Sequence, residues 1–438
     1  MDEELIKKCL RAFRQQRIKY RKYQDYYDGR HDIVRNYAMA DSRANMKVVV
    51  NFFKKFINDE VAYALGNPVS YVSRKDDHNT TDLVDLNFGH WSKQHDQNLI
   101  RQANIFGEAY ELFYINEDSE FKATTLTPLN AFVLENGDAE NTVRLALHVY
   151  KEHRFSDREM LDVYEGEKVH QFSIGNNDAH RLVHLDTKTT NFKQTPVVVC
   201  MANPARRSLL DDIKSAIDAY NNTLSDLVNE VSDFRQAFLK ITGATLGDDE
   251  AKKMKRSGII NVPAKGEVDY LTKQINDTFV NNLLSNLEEK IYKLSSHIDT
   301  NEKLQSNLSG AALRSRMIAL ENRCVLMQSM LEKTVKRRLK AFFEYQQLRT
   351  GQVLDYRQIK LKFTMNVPQD ILMLADALSK YNGIVSHRTM LSMLPFVENP
   401  DLELEQVRKE RDDETQRFLD LDRVGMNPGT VTPGDDDG

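Results

Sequence analysis

Cysteine is scarce in this 438-residue chain: Cys9, Cys200 and Cys324 stand far apart, in no metal-ligand or redox spacing. That excludes a disulfide framework and a thiolate zinc site, and a reduced setting fits best. Long apolar runs are absent too. The longest, "VVVCMA" at 197–202, is far short of a membrane span, and "MDEELIKKCLRAFRQQ" is too polar for a secretory leader. Excess charge of one sign is lacking: a net −5 argues against a broad basic face that clings to nucleic acid through many phosphate contacts. There is no P-loop glycine run ending in Lys and Ser/Thr, no GxSxG elbow, no HExxH and no EF-hand loop. No cofactor and no catalytic residue is therefore expected.

What is present is periodic apolar pattern. Hydrophobic residues make up 41% of the chain, enough for a real core, and 29% is charged, which solvates the surface. The spacing predicts a helix over 2–27 with Leu5, Cys9, Phe13, Ile18 and Tyr20 among many Lys and Arg, ended by the turn in "YYDGRHDI". A second helix is predicted over 47–71, stopped by Gly66, Asn67 and Pro68. Mixed pattern follows to about 205, with β-like runs "EAYELFYI" and "VRLALHVY" and turns at Asn136-Gly137 and Gly175-Asn176.

The second half is more regular. Leu210, Ile213, Ile217, Tyr220, Leu224, Leu227, Val231, Phe234 and Phe238 alternate at spacings of three and four, a seam of about four heptads that calls for a long helix packed on another helix. A compact insert follows: "AFLKITG" and "GIINVP" read as strands around the short helix "DDEAKKMKRSG", with "EVDYLTK" closing the unit. A helix capped near Asn276 or Asp277 carries Phe279, Leu283, Leu287, Ile291 and Leu294 on one face. After a polar stretch, Ser309 can cap a helix reaching to about 346, roughly 55 Å long, with a stripe from Leu313 to Phe342. "QIKLKFTMNV" alternates as a half-buried strand, shorter helices fill 369–420, and "GMNPGTVTPGDDDG" reads as a disordered acidic tail. Helices this extended cannot hide in one small globule and need neighbours along their span.

Candidate chemistry is thin. His180 and His184 in "HRLVH" could be metal ligands, but the pattern there is extended, which would set them about 13 Å apart on one sheet face. His90 and His95 flank Trp91 without a better case. "EKTVKRRLK" (332–340) and the N-terminal "KKCLRAFRQQRIKYRK" are either contacts for phosphate or an acidic partner, or solvated helix faces; the second reading is favoured for both. A metal-dependent hydrolase or nuclease using His180 and His184, and a coiled-coil scaffold unrelated to DNA, stay open as alternatives.

Several stretches in order resemble one family. "YYDGRHDI" followed by "VVVNFFKKFINDEVAYALGNPVSY", then "IFGEAYELFYINEDSEFKATTLTPLNAFVL", "LLDDIKSAIDAYNNTLSDLVNEVSDFRQAFLKITG", "DTFVNNLLSNLEEKIYKLS" and "NLSGAALRSRMIALENR" are similar to portal proteins of tailed bacteriophages, in the long-tailed siphophage branch. The likeness covers most of 20–345. It implies an α+β, mostly helical, portal-type subunit. The parts would be a wing over 1–205, stem helix 1 over 206–238, a clip over 239–274 and stem helix 2 over 275–297. A tunnel loop over 298–308 would lead to a long wing helix (309–346), a wing strand (347–368), a crown (369–420) and the acidic tail (421–438). The resemblance further implies a closed homo-oligomeric ring of roughly twelve subunits. Double-stranded DNA would pass through it at the capsid vertex of the virion. Implied partners are the terminase large subunit, head-completion or adaptor proteins, and major capsid and scaffolding proteins. No membrane partner is implied, and assembly would take place in the host cytoplasm.

Within that frame the polar stretch after stem helix 2 reads as the channel lining. Asp299, Asn301, Lys303, Gln305, Ser306 and Asn307 would face DNA, with Glu302 also opposing the one lysine. A ring repeats each lysine about twelve-fold, so a strongly basic loop would trap DNA rather than let it slide. Family members often carry Pro and Gly in this loop, whereas Gln305 and Ser306 stand where glycines are expected. Leu224, Leu227, Val231, Phe234, Phe279, Leu283, Leu287 and Ile291 are expected to pack stems around the ring.

Overall fold

A computed structural model describes the chain except residues 1, 39–43, 75–76, 176–180, 235–237, 243–246, 248, 250–266, 272–276, 300–309, 367–375, 377, 382, 395–396, 398–399 and 426–438. The chain divides into two compact units, residues 1–366 and 367–438. Both helix and sheet are extensive, so the α+β class expected from the sequence holds.

In the first unit, α1 (Glu3–Tyr27), α2 (Asp32–Asn36) and α3 (Phe52–Leu65) precede β1 (Ser70–Ser73), α4 (His78–Phe88) and α5 (Ser92–Phe106). Strands follow: β2 (Glu108–Ile115), β3 (Phe121–Leu126), β4 (Ala131–Glu135), β5 (Val143–Lys151), β6 (Glu159–Glu165), β7 (Lys168–Ile174), β8 (Leu182–Thr189) and β9 (Val197–Met201). Then come α6 (Leu210–Phe234), β10 (Phe238–Thr242), β11 (Glu267–Leu271), α7 (Asp277–Ser295), α8 (Gly310–Thr350) and β12 (Ile359–Lys362). The second unit contains α9 (His387–Leu391) and α10 (Pro400–Gly425).

An antiparallel meander runs β4-β5-β6-β7-β8, and a three-stranded sheet runs β3-β2-β9. The apolar side of α1 (Ile6, Leu10, Phe13) covers the meander through Leu147, Leu161 and Phe172, as a 3.6-residue stripe over a period-two face should. The main core joins α3, α5, α6, α7 and α8, with Phe56, Ile100, Ile217, Ile291, Leu331 and Phe342 all buried. Gly107 makes the sharp passage from α5 to β2. Its φ is +92° and an added Cβ would overlap the Arg206 carbonyl, so only glycine fits.

Some expectations need correction. The predicted second helix begins at Phe52, not at 47: Asn51 caps it, its Oδ1 accepting from Lys54 N at 3.0 Å. Residues 47–51 precede it without helix. Both α4 and α5 fall in a region read as mixed and β-like. Ile18, placed in the α1 stripe, is 74% exposed. The strand read over 358–367 is only Ile359–Lys362, paired with β1. Helix α10 runs to Gly425, beyond the position where the tail was expected to begin. The "GIINVP" strand, most of the insert's short helix, and the cap candidates Asn276 and Ser309 lie outside the described residues.

The segment ahead of α3 is held by α6. Met46 N donates to Asn229 Oδ1 (2.6 Å), Val48 N to Ser225 Oγ (2.9 Å) and Val50 N to Asn221 Oδ1 (2.9 Å). Four helical residues rise about 6 Å and two extended residues about 6.6 Å, so every helical turn meets every second strand residue. The seam continues back along α6: Tyr37 with Asp226, Tyr26 with Asp218, Lys214 with Asp32, and Tyr23 with Asp211. Buried Asn221 also donates to His31 Nδ1 at 3.0 Å, which leaves Nε2–H to donate to Tyr26 O at 3.1 Å. Replacing Asn221 with Leu strands both the Val50 amide and the His31 nitrogen. The expected loss is about 2–6 kcal/mol by urea unfolding, at about 1–3 kcal/mol for each of the two unsatisfied groups; a loss under about 1 kcal/mol would mean water reaches the seam.

Candidate functional site

The far half of the α6–α7 pair is what the main core does not absorb. Phe52 meets Tyr220 of α6 and Tyr292 of α7 edge-on, with centroids 5.3 Å and 6.0 Å away. The end of α7 therefore lies beside the first half of α6, and the two helices run antiparallel. Their far ends lead into β10 and β11, paired antiparallel from Phe238↔Leu271 to Thr242↔Glu267. The "AFLKITG" and "EVDYLTK" runs are thus partners, and the pair closes the hairpin.

Apolar residues on the hairpin change environment along its length. Ile213, Ile217 and Ile291 are fully buried. Leu224, Leu227 and Leu287 are half-buried, Leu283 is exposed, and Val231 and Phe279 are 54% and 64% exposed. Ile291, assigned above to packing between copies, sits wholly inside the chain's own core, so it has no surface to offer a neighbour. Phe234 is the last residue of α6.

At the hairpin base, α3 holds what lies on either side of the polar stretch. The His297 ring stacks on Phe56 at 4.2 Å and lies within hydrogen-bonding distance of two carbonyls, Phe56 O (3.1 Å, Nε2) and Ser295 O (2.9 Å, Nδ1). On α8, Arg323 Nε donates to buried Glu60 of α3, which also accepts from Asn104 Nδ2 at 2.8 Å. Gln328 Nε2 donates to Ala64 O at 2.9 Å. Burial raises the Glu60 carboxyl even though Arg323 opposes it. Asp299 is described and partly exposed; Asn301, Lys303, Gln305, Ser306 and Asn307 lie outside the described residues.

Further along α8 the basic run separates into different environments. Arg338 is fully buried: Nη2 donates to Asp96 at 2.5 Å and Nε to Glu111 at 2.7 Å, with Trp91 under the guanidinium at 5.5 Å. His95 completes the group at 2.7 Å from Glu111. Burial alone would raise Glu111, but Arg338 and His95 outweigh it and hold the carboxyl below its ordinary range. Arg338 is therefore neither a solvated residue nor a phosphate contact. Lys336 pairs on the surface with Glu332 at 2.6 Å, while Lys333 and Arg337 are exposed.

The catalytic alternative finds little to build on. His184 lies on β8, its Nε2 2.8 Å from Thr187 Oγ1, and His180 is outside the described residues. Among the described residues, no group of three or more His, Cys, Asp or Glu could hold a metal ion. All three cysteines are buried, and burial pushes the Cys200 and Cys324 thiols up to about 12. Such thiols are poor nucleophiles at neutral pH. No described helix is long and apolar enough to cross a membrane.

A long helical hairpin with a small β pair at its far end, mounted on an α+β body and carrying exposed apolar residues, has the make-up of an assembly subunit. The sequence comparisons name which kind. The family described as "Phage portal protein, SPP1 Gp6-like" matches residues 6–417, and the chain belongs to that family. It is 22% identical to the portal protein of Bacillus phage SPP1, over 89% of this chain and 80% of that one. With the portal protein of Clostridium phage phiCD119 it shares 21% identity, over 91% of this chain and 94% of the relative. The chain is a phage portal protein, a virion component of a structural family.

Two histidines, buried His297 and half-buried His148, make stability depend on pH. Burial depresses His297 and His148 to about 4, for His297 against the pull of its two carbonyl neighbours. The unfolded chain takes up these protons near about 6.5, so their contribution is complete above that pH and is lost as pH falls toward about 4. Urea midpoints should therefore drop between pH 6.5 and pH 4. A His297→Gln, His148→Gln double variant should start lower at pH 7.5 yet lose less over that interval; an unchanged slope would assign the acid sensitivity elsewhere.

Proposed function

We propose that this portal subunit closes into a ring of about twelve copies around a channel for duplex DNA, through which the genome is packaged and later ejected. In this reading residues 1–205 form the wing, α6 and α7 the stem, and 239–274 the clip that docks the terminase motor and later the head-completion proteins. Residues 298–308 form the tunnel loop, α8 and the strand after it return to the wing, and 369–420 make the crown. The ring sits at the capsid vertex after assembly in the host cytoplasm.

The observation that carries this reading is the exposed apolar stripe on the hairpin. Nearest the core, Ile213, Ile217 and Ile291 are buried within the chain, whereas Val231, Phe279 and Leu283 towards the far end stay exposed, as does Leu294. Exposed apolar residues gathered on one element mark an interaction surface, and a sibling hairpin supplies a matching one. Base geometry suits the proposed loop. His297 and Arg323, on its two flanks, are both tied to α3, so a loop between them would work from a fixed platform. Its composition favours sliding, since Lys303 stands among Asp299, Asn301, Glu302, Gln305, Ser306 and Asn307 and phosphates meet few cations.

Negative-stain imaging of the purified chain should reveal rings with a central hole of about 20 Å or more, the width of a duplex. Val231→Asp together with Phe279→Asp should abolish rings yet leave a folded subunit, because both positions are exposed. A stable lone subunit at high concentration, with no annular particle under any condition, would overturn the proposal. Lys303→Ala should preserve rings and alter DNA packaging efficiency; loss of ring assembly would instead make that segment an interface element.

A further inference from the structure

The basic side of α1 serves neither the core nor the stem. Between Leu5 and Gln24 the helix carries eight Lys or Arg residues and no Asp or Glu. Its apolar side, with Ile6, Leu10 and Phe13, is taken up by the meander, so the opposite side is what α1 presents outward. Lys8, Arg11, Gln15, Ile18 and Lys22 recur there at spacings of three and four, and all five are exposed. At 3.6 residues per turn they form one straight line down the helix.

A helix face that meets only water usually mixes signs, with Asp or Glu set three or four residues from Lys or Arg. Helix α1 does so at its ends alone, where Lys7 pairs with Glu3 and Lys22 with Asp32, each at 2.9 Å. In between, like charges stand three or four apart at Arg11 and Arg14, Arg14 and Arg17, and Arg17 and Arg21, each pair mildly destabilising. Burial lowers the pKa of Arg17, with Arg21 and Arg14 pushing the same way and Glu159 opposing them. Among the described residues, Lys8, Arg11 and Arg21 have no ion-pair partner. In the middle of the line stands Ile18, 74% exposed.

We propose that this face of α1 docks an acidic helical segment of a second protein, which sets carboxylates along Lys8, Arg11 and Lys22 and an apolar side chain on Ile18. The spacing favours a helix, because a line of threes and fours is matched by another helix lying nearly along it. Ile18 favours protein over nucleic acid, since a phosphodiester backbone offers it no apolar contact. Length points the same way. From Lys7 to Lys22 the strip spans about 22 Å at 1.5 Å per residue, with Glu3 and Glu4 before it and Asp25 and Asp28 after it. A duplex running past the strip would meet those carboxylates, whereas a segment of about four helical turns would not. A lipid surface is disfavoured because a basic helix lying on a bilayer inserts its apolar side, which the meander already covers here. The inference rests on α1 and stands whether or not the subunit closes into a ring.

The test uses the full-length protein and a fluorescent helical peptide of about 18 residues, with Glu at three- and four-residue spacing around a central Leu, read by anisotropy at about 0.15 M salt. Binding is expected, with a loss of about tenfold or more in a Lys8→Glu, Arg11→Glu variant. Ile18→Lys adds a cation yet should weaken binding by about threefold or more, because the central contact is lost. Both variants should stay folded, since the three positions are exposed. A peptide of the same composition with the spacing scrambled should bind about tenfold more weakly. Tighter binding by Ile18→Lys, equal binding of the scrambled peptide, displacement by a short DNA duplex at equal concentration, or no binding at about millimolar peptide would each overturn the proposal.

Discussion

Helix α6 carries two seams of the same period, and the rest of the first unit depends on both. Leu210, Ile213 and Ile217 turn into the core. One residue further on, Asp211, Lys214, Asp218, Asn221, Ser225 and Asn229 form a polar line that grips Tyr23, Tyr26, Asp32, Met46, Val48 and Val50. The apolar seam supplies the driving force, which is non-directional. The polar seam supplies position: a slip of one strand residue would turn the Val48 and Val50 amides away from their acceptors and leave buried donors unmet. The hairpin thus leaves the core already fixed in rotation about its axis, which decides the direction that Val231 faces.

Buried charge is used in the same way at two more points. Arg338, Asp96, Glu111 and Glu60 are taken out of water at a desolvation cost of several kcal/mol per ion, Glu60 against a partly exposed Arg323. Apolar residues of equal volume would often be as stable. What the ion pairs add is a defined register between elements distant in sequence: α8 against α5 and β2 in one case, α8 against α3 in the other. An apolar contact tolerates sliding by a fraction of a turn, whereas a guanidinium between two carboxylates does not.

Much of this was legible in the sequence, and the gaps have a common cause. The α6 heptads, β2, β5 and the long α8 stripe follow from periodicity, because burial of apolar side chains dictates them. Helix α5 was missed because its first half, "SKQHDQN", is polar. Ser92 and Asp96 are nevertheless buried there, with Asp96 serving Arg338. A usable signal existed: Arg338 is in phase with Leu331, Val335 and Phe342, Asp96 with Leu99 and Ala103, and Glu111 with Ala109 and Phe113. A charge at a core-phase position needs a buried counter-charge, and three such positions point to one another. The polar seam of α6 gave no such sign, since a polar line on a helix looks the same whether water or a backbone strand answers it.

Helix α8 shows how one rod can serve several demands without a simple amphipathic pattern. Its buried line from Leu320 through Phe342 belongs to the core, Arg323 and Arg338 fix it to three other elements, and Lys333 and Arg337 face a cleft beside β9. The buried line, which includes Arg338, and the pair facing the cleft claim different angular sectors, so apolar and charged residues occur around most of the circumference. Its exposed apolar residues Ile318 and Val325 occupy a sector that none of these contacts explains, and exposed Leu326 lies beside them in the phase of Lys333 and Arg337. A helix of a self-sufficient monomer would leave that sector polar. In a subunit of a closed ring both flanks must meet copies of the same chain, and a heterologous contact needs two different surfaces. In the ring proposed above the hairpin would offer one, and this sector of α8 has the composition required of the other.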